Sequence, residues 1–119
     1  MLRGIDSSLS ALRAFAKSLA VVSHNVANSH TNGYKKNKAI LEGGNGGDVS
    51  VFVRKMGTPG TPVSYEHADS CGDETLETSN VDLAQETVEM IKDQRGYEAN
   101  LKTIGTRIDT ERTLFDILV

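Results

Sequence analysis

The sequence contains no tryptophan, one cysteine, two prolines, three tyrosines and three phenylalanines in 119 residues. With so few large rings, a broad globular core would have to be assembled from Leu, Ile and Val, and extended helix pairing suits the composition better. The lone Cys71 excludes an intramolecular disulfide and leaves the redox compartment unread. No run approaches the roughly 18 apolar residues of a membrane span. The first residues lack the basic, apolar and small-residue order of a secretory signal, so the N-terminus is expected to be retained. What is present is ordinary: the hydrophobic fraction is 38%, to which 11 glycines add. That excludes a wholly disordered chain, and the length suits one domain.

A formal net charge of -3 conceals a gradient. Residues 1–38 carry six basic and one acidic side chain, whereas residues 39–80 carry two and seven, and residues 81–119 five and eight. Such contrast between the two ends of a chain favours contacts between copies. The only concentrated basic run, Lys35, Lys36 and Lys38, is too short for a nucleic-acid track.

From Ile5 to Asn28 no proline interrupts, and Ile5, Leu12, Leu19 and Val26 recur every seven residues, flanked by Leu9, Phe15, Ala16 and Val22. This pattern predicts an amphipathic helix about 36 Å long. Ser8, Ala11, Ala14, Ser18 and Ser23 cover its remaining surface, which implies close neighbours on more than one side. Asn25, Asn28, Asn32 and Gly33 predict a structured turn at its end, with the Tyr34 ring packing that turn onto a neighbour. Gly-Gly-Asn-Gly-Gly at 43–47 reads as a flexible turn and lacks the spacing of a phosphate loop. Val49, Val51 and Val53 alternate with Ser50 and Phe52, predicting a strand whose hairpin partner is expected near Thr61–Glu66 across Gly57–Gly60. His67–Thr78, acidic and almost without apolar residues, reads as a surface loop or disorder.

Ser79 or Asn80 is the expected N-cap of a second helix running to Leu118, about 58 Å long, with Asp82 and Glu86 suiting the positive end of its dipole. Leu83, Met90, Tyr97, Ile104 and Leu118 share one seven-residue spacing, and Leu101, Ile108 and Phe115 its companion, making a coiled-coil seam. Gly96 and Gly105 each cost about 1 kcal/mol relative to Ala, so a close helix contact or a local bend is expected at each. The fold class is therefore mainly α: long N- and C-terminal helices (1–34 and 79–119) paired as an antiparallel coiled-coil-like hairpin, with a middle (35–78) holding a short β-hairpin and flexible loops.

Catalysis finds little support. His67, Asp69, Cys71 and Asp73 alternate potential ligands, but no second half supplies the closed tetrahedral set that zinc prefers. His24 and His30 flank the turn as polar residues, and no nucleophile stands beside an oriented base. No cofactor or metal site is assigned.

Two segments carry a family resemblance. At the front, Ser23-His24-Asn25-Val26-Ala27-Asn28 is followed by Thr31-Asn32-Gly33-Tyr34-Lys35. At the back, Ser79-Asn80-Val81-Asp82-Leu83 leads to Gln94-Arg95-Gly96-Tyr97-Glu98-Ala99-Asn100. Together they resemble the axial proteins of the bacterial flagellum, the rod, hook and hook-associated proteins, over nearly two thirds of the chain. Gly96 departs from the pattern, where the family usually carries a helix-favouring residue. The short middle resembles the small proximal-rod subunits, so the resemblance implies a short rod-type paralogue. It further implies a self-assembling, non-enzymatic structural subunit of the basal-body rod, crossing the periplasm and exported by the flagellar type III apparatus without a cleaved signal. Its partners would be further copies and other rod or hook-basal-body proteins, with no nucleic acid and no membrane span. Leu9, Leu12, Leu19, Val26, Met90, Tyr97, Leu101, Ile104, Ile108 and Phe115 are the expected helix contacts, and Asn25, Asn28, Gly33 and Tyr34 the expected turn contacts. A soluble flagellar adaptor or export regulator that retains the two terminal helices is the alternative.

Overall fold

In a computed structural model, which describes residues 2–65 and 74–118, the order is α1 (Leu2–Ala27), β1 (Asn37–Gly43), β2 (Val49–Lys55), β3 (Pro62–Tyr65), β4 (Glu74–Glu77) and α2 (Leu83–Leu118). The molecule measures 85 × 24 × 17 Å, with a radius of gyration of 21.7 Å. A compact chain of this length would have about 13.5 Å. The two terminal helices account for the elongation, and no helix among the described residues is long and apolar enough to cross a membrane.

The helices are antiparallel in a constant register. Gly4 lies against Arg107, Phe15 against Gly96, and Asn25 against Glu86. On that register Leu2 is level with Asp109, so residues 110–118 of α2 project about 13 Å beyond the start of α1. Gly96 is the close contact expected there, because a Cβ on it would sit 2.5 Å from Phe15 Cζ, so the ring seats in a notch that only glycine leaves open. At Gly105 no neighbouring atom lies within 4 Å and α2 continues without a break.

α1 has neighbours on two sides. Ala11, Leu12, Ala14 and Val22 form the buried apolar core, and Ser18 and Asn25 are buried with them. One face meets α2, and the other meets a hairpin of β1 and β2 in which Ala39 pairs with Val53, Leu41 with Val51 and Gly43 with Val49. Ser7 Oγ donates to the Gly47 carbonyl, and Val49 N–H donates to Ser10 Oγ at 3.0 Å. The small residues of α1 thus serve two interfaces, since a short side chain lets a strand or a helix approach its backbone.

Three expectations for the middle change. β2 occupies the predicted segment, but its partner is β1 and not 61–66, because the loop at 44–48 closes on itself with Gly44 N–H donating to Asp48 O at 2.7 Å. Gly47 takes φ 83°, a left-handed geometry that favours glycine. The expected strand near Thr61 does form, as β3, and pairs with β4 from Pro62↔Glu77 to Tyr65↔Glu74. Residues 74–77, read from sequence as loop, are therefore a strand, while His67, Asp69, Cys71 and Asp73 lie outside the described residues. The N-cap of α2 is Asp82, whose Oδ1 accepts from Ala84 N–H at 2.9 Å and Gln85 N–H at 3.4 Å. Ser79 and Asn80 were the expected caps, and Asn80 is engaged elsewhere.

Candidate assembly interface

Where α1 ends, its last turn cannot satisfy its own carbonyls, and the Asn-rich segment supplies the missing partners. Asn28 N–H closes on the His24 and Asn25 carbonyls, Asn28 Nδ2 donates to His24 O at 2.9 Å, and Gly33 takes φ 71° to turn the chain back. Asn25, only 1% exposed, spends its whole amide. Nδ2 donates to Asn37 O at 2.7 Å and to Glu86 Oε2 at 3.0 Å. Oδ1 accepts from Asn37 N–H at 2.9 Å and from the Tyr34 hydroxyl at 3.0 Å. One side chain therefore joins α1, the turn, β1 and α2. The Tyr34 ring packs on His24, with its hydroxyl 2.8 Å from His24 Nδ1. Desolvation pushes the Tyr34 hydroxyl above its ordinary pKa, against a smaller lowering by the Asn37 hydrogen bond and with the Glu86 charge adding to the rise, which keeps it a neutral donor.

Asn80 makes a second junction. Its Oδ1 accepts from Lys36 N–H at 2.6 Å, and its Nδ2 donates to Met56 O at 3.1 Å and Thr58 O at 2.8 Å. Gly33 N–H donates to Glu77 O at 2.7 Å, and Lys35 Nζ reaches Glu77 Oε2 at 2.5 Å. That hydrogen bond and charge hold the Glu77 carboxyl below its ordinary pKa. Asn25 and Asn80, with the bonds from Gly33 and Lys35 to Glu77, thus clasp the turn to both hairpins and to the start of α2.

Along the helix pair the seam departs from the expectation. Met90, Tyr97 and Ile104 are half-buried, but their companions facing α1 are Glu86, Asp93, Asn100 and Arg107, also seven residues apart. Leu101, Ile108 and Phe115, expected in the coiled core, stand exposed instead, Phe115 by 68%. The reason lies in α1, whose glycine, alanine, serine and asparagine face admits polar partners closely. Leu12 is buried, Leu19 and Val26 half-buried, and Leu9 exposed. Asn28 and Tyr34 are half-buried and Gly33 exposed.

Asp93 is the cost of this arrangement. It is 6% exposed, and its Oδ2 has no hydrogen-bond partner among the described residues. Burial raises its carboxyl pKa, the Ser18 hydroxyl lowers it, Glu89 adds repulsion and Lys92 opposes. Sequence reading placed Glu86 only at the helix dipole and missed its contact with Asn25, the burial of Asp93 and the bridging role of Asn80. The seven-residue recurrence of Glu86, Asp93, Asn100 and Arg107 was the signal available.

Both helix segments match family models. Residues 5–35, α1 with its turn, match the family described as flagella basal body rod protein. Residues 73–115, β4 with most of α2, match the one described as flagellar basal body rod FlgEFG protein C-terminal. The chain belongs to the flagellar rod and hook axial family. No curated protein matches it. Membership gives the chain a structural role at the flagellar basal body, in association with other rod and basal-body proteins. The two matched segments of this family member are the ones that Asn25, Gly96 and Asn80 bind together, and β1 and β2 lie between the matches.

Proposed function

We propose that the chain is a self-assembling subunit of the basal-body rod that helps build the drive shaft, without catalytic activity. The supporting observation is the outward apolar row of α2, Leu101, Ile108 and Phe115, left exposed beside a helix pair already closed by polar contacts. A fold that closes its helix pair with polar contacts and leaves large apolar side chains outside gains by packing them against neighbours, at about 25 cal/mol per Å² buried. Leu9, also exposed, would contribute from α1, while Met90, Tyr97 and Ile104 hold the two helices in register. Export through the flagellar type III apparatus without a cleaved signal, and a position crossing the periplasm, complete the reading.

The test uses Ile108→Asp, which places a charge on the exposed row without entering the α1 contact. Cells carrying only this variant are expected to be non-motile, with the folded protein absent from purified basal bodies, whereas Cys71→Ser supports normal motility. Full motility with Ile108→Asp would remove the packing claim. Fractionation of the wild-type chain separates a rod subunit, present in basal bodies in several copies, from an adaptor that remains in the cytoplasm.

A further inference from the structure

Two features of the molecule fit each other but sit too far apart to meet within one chain. The first is a groove of about 410 Å³ where α1, β1 and the opening turns of α2 come together. Val21, Val22, Ala39, Ala84 and Val88 make its walls mainly apolar, Lys36 and Lys38 stand on one lip, and Glu86, bonded to Asn25, and Glu89, paired with Lys92, line the opposite side. Lys36 Nζ reaches Gln85 Oε1 at 3.2 Å, and neither lysine pairs with a carboxylate among the described residues. The second is the projecting tip of α2, residues 110–118, which has no α1 beside it. Leu114, Phe115, Ile117 and Leu118 are exposed there, Leu118 by 81%. Leu114, Phe115 and Leu118 fall on one helical face by their three- and four-residue spacing. The tip is acidic, Glu111 and Asp116 outnumbering Arg112.

Val88 and Leu118 are separated by about 45 Å of helix, so a chain cannot fill its own groove with its own tip. We infer that the apolar tip of α2 in one copy docks in the α1–β1–α2 groove of a second copy. A single helical turn presenting Phe115 and Leu118 is the shape that an apolar groove of this size accepts, the helix-in-groove mode of recognition. Glu111 and Asp116 of the tip meet the lysine lip, while Glu86 and Glu89 line the opposite side, so the charge contrast across the groove sets the orientation. Because tip and groove are different surfaces, the contact is heterologous: every copy that receives a tip still offers its own, and the array extends without closing. The inference rests on the self-assembling reading and specifies where one of its contacts lies.

Disulfide trapping in the full-length chain tests it. In a Cys71→Ser background, one protein carries Leu118→Cys and another Val88→Cys, and the two are mixed and oxidised mildly. The 118–88 heterodimer is expected to form several-fold faster than either homodimer. It should slow several-fold when Phe115→Asp is added to the first protein or Lys38→Glu to the second, and more mildly as salt rises. Both helical positions are exposed, so the cysteines need not disturb the fold, and circular dichroism of each protein checks this. A heterodimer rate no greater than the homodimer rates, or one indifferent to Phe115→Asp, overturns the docking. If that occurs while Ile108→Asp still excludes the chain from basal bodies, the docking falls and the rod reading stands.

Discussion

The two ends of the helix pair are built on opposite principles. At the closed end, where α1 finishes and α2 begins, almost every contact is a directed hydrogen bond, and Asn25 and Asn80 tie four elements together. At the open end, α2 runs past α1 alone, with large apolar side chains in solvent and no junction to hold them. Directed bonds define one geometry within the chain, whereas exposed apolar surface is indifferent to which molecule covers it. The closed end therefore specifies the fold, and the open end is left for association.

The largest effect is expected from breaking the closed end. Asn25→Leu keeps roughly the volume but strands the Asn37 amide and carbonyl and Glu86 Oε2. At about 1–3 kcal/mol for a buried group left unpaired, the loss should reach on the order of 3–5 kcal/mol. Thermal unfolding followed by circular dichroism would register it as a collapse of the transition, and a wild-type midpoint would show that the clasp carries little.

Midway along α2, two glycines give a matched pair. Gly96→Ala forces the Phe15 ring out of its notch, costing about 1–3 kcal/mol for overpacking against about 1 kcal/mol regained in helix propensity. The net should be a loss of order 1 kcal/mol. Gly105→Ala meets no atom within 4 Å and should instead stabilise by up to about 1 kcal/mol. Chemical denaturation of both variants checks the opposition in sign, and equal signs would mean that the Phe15 notch does not set the register.

Asp93→Asn should stabilise the seam at neutral pH, by roughly 1 kcal/mol, since a neutral amide removes a charge held out of water without full pairing. The Asp93 carboxyl titrates higher in the fold than in the open chain. Its contribution is therefore fully present below its unfolded pKa and lost as pH rises through its folded one. Glu77 runs the other way, its lowered pKa giving stability that is lost on acidification. The difference between wild type and Asp93→Asn isolates the first. It should be largest at neutral pH and shrink toward acid, and a difference independent of pH would refute the assignment. The smallest effect is expected at the exposed row, where Leu101→Ser should change monomer stability by no more than about 0.5 kcal/mol.

How far the sequence disclosed this arrangement depends on the range of the interaction. Both terminal helices and the turn after Asn28 were legible, because seven-residue periodicity and Asn/Gly chemistry act within a few residues. β2 was legible from its alternating valines, but β1 was not, since Ala39-Ile40-Leu41 shows no alternation and is a strand only because β2 folds back on it. The half of the seam formed by Met90, Tyr97 and Ile104 followed from spacing. The other half was assigned to Leu101, Ile108 and Phe115 on the same seven-residue spacing. Within the single chain these three stand exposed, because the facing column of α1 is small and polar, a fact about the partner and not about α2. Asn80 was read locally as a cap, although its bonds reach residues that sequence distance hides.

The β1–β2 hairpin lies along α1 as a splint, fastened near one end by Ser7 to Gly47 and near the other by Asn25 to Asn37. Between those fastenings lie 17 residues of α1, and the fastenings stand about 27 Å apart along a helix backed by a strand pair on one side and α2 on the other. Resistance to bending rises steeply with cross-section, so this stretch is a composite beam, while the projecting turns of α2 are a bare rod. Torque applied to the molecule passes through the splinted part with little deflection, and compliance is concentrated in the last turns of α2. The chain has a stiff body and a pliant tip, so an array of such chains would flex at the tips before it flexed in the bodies.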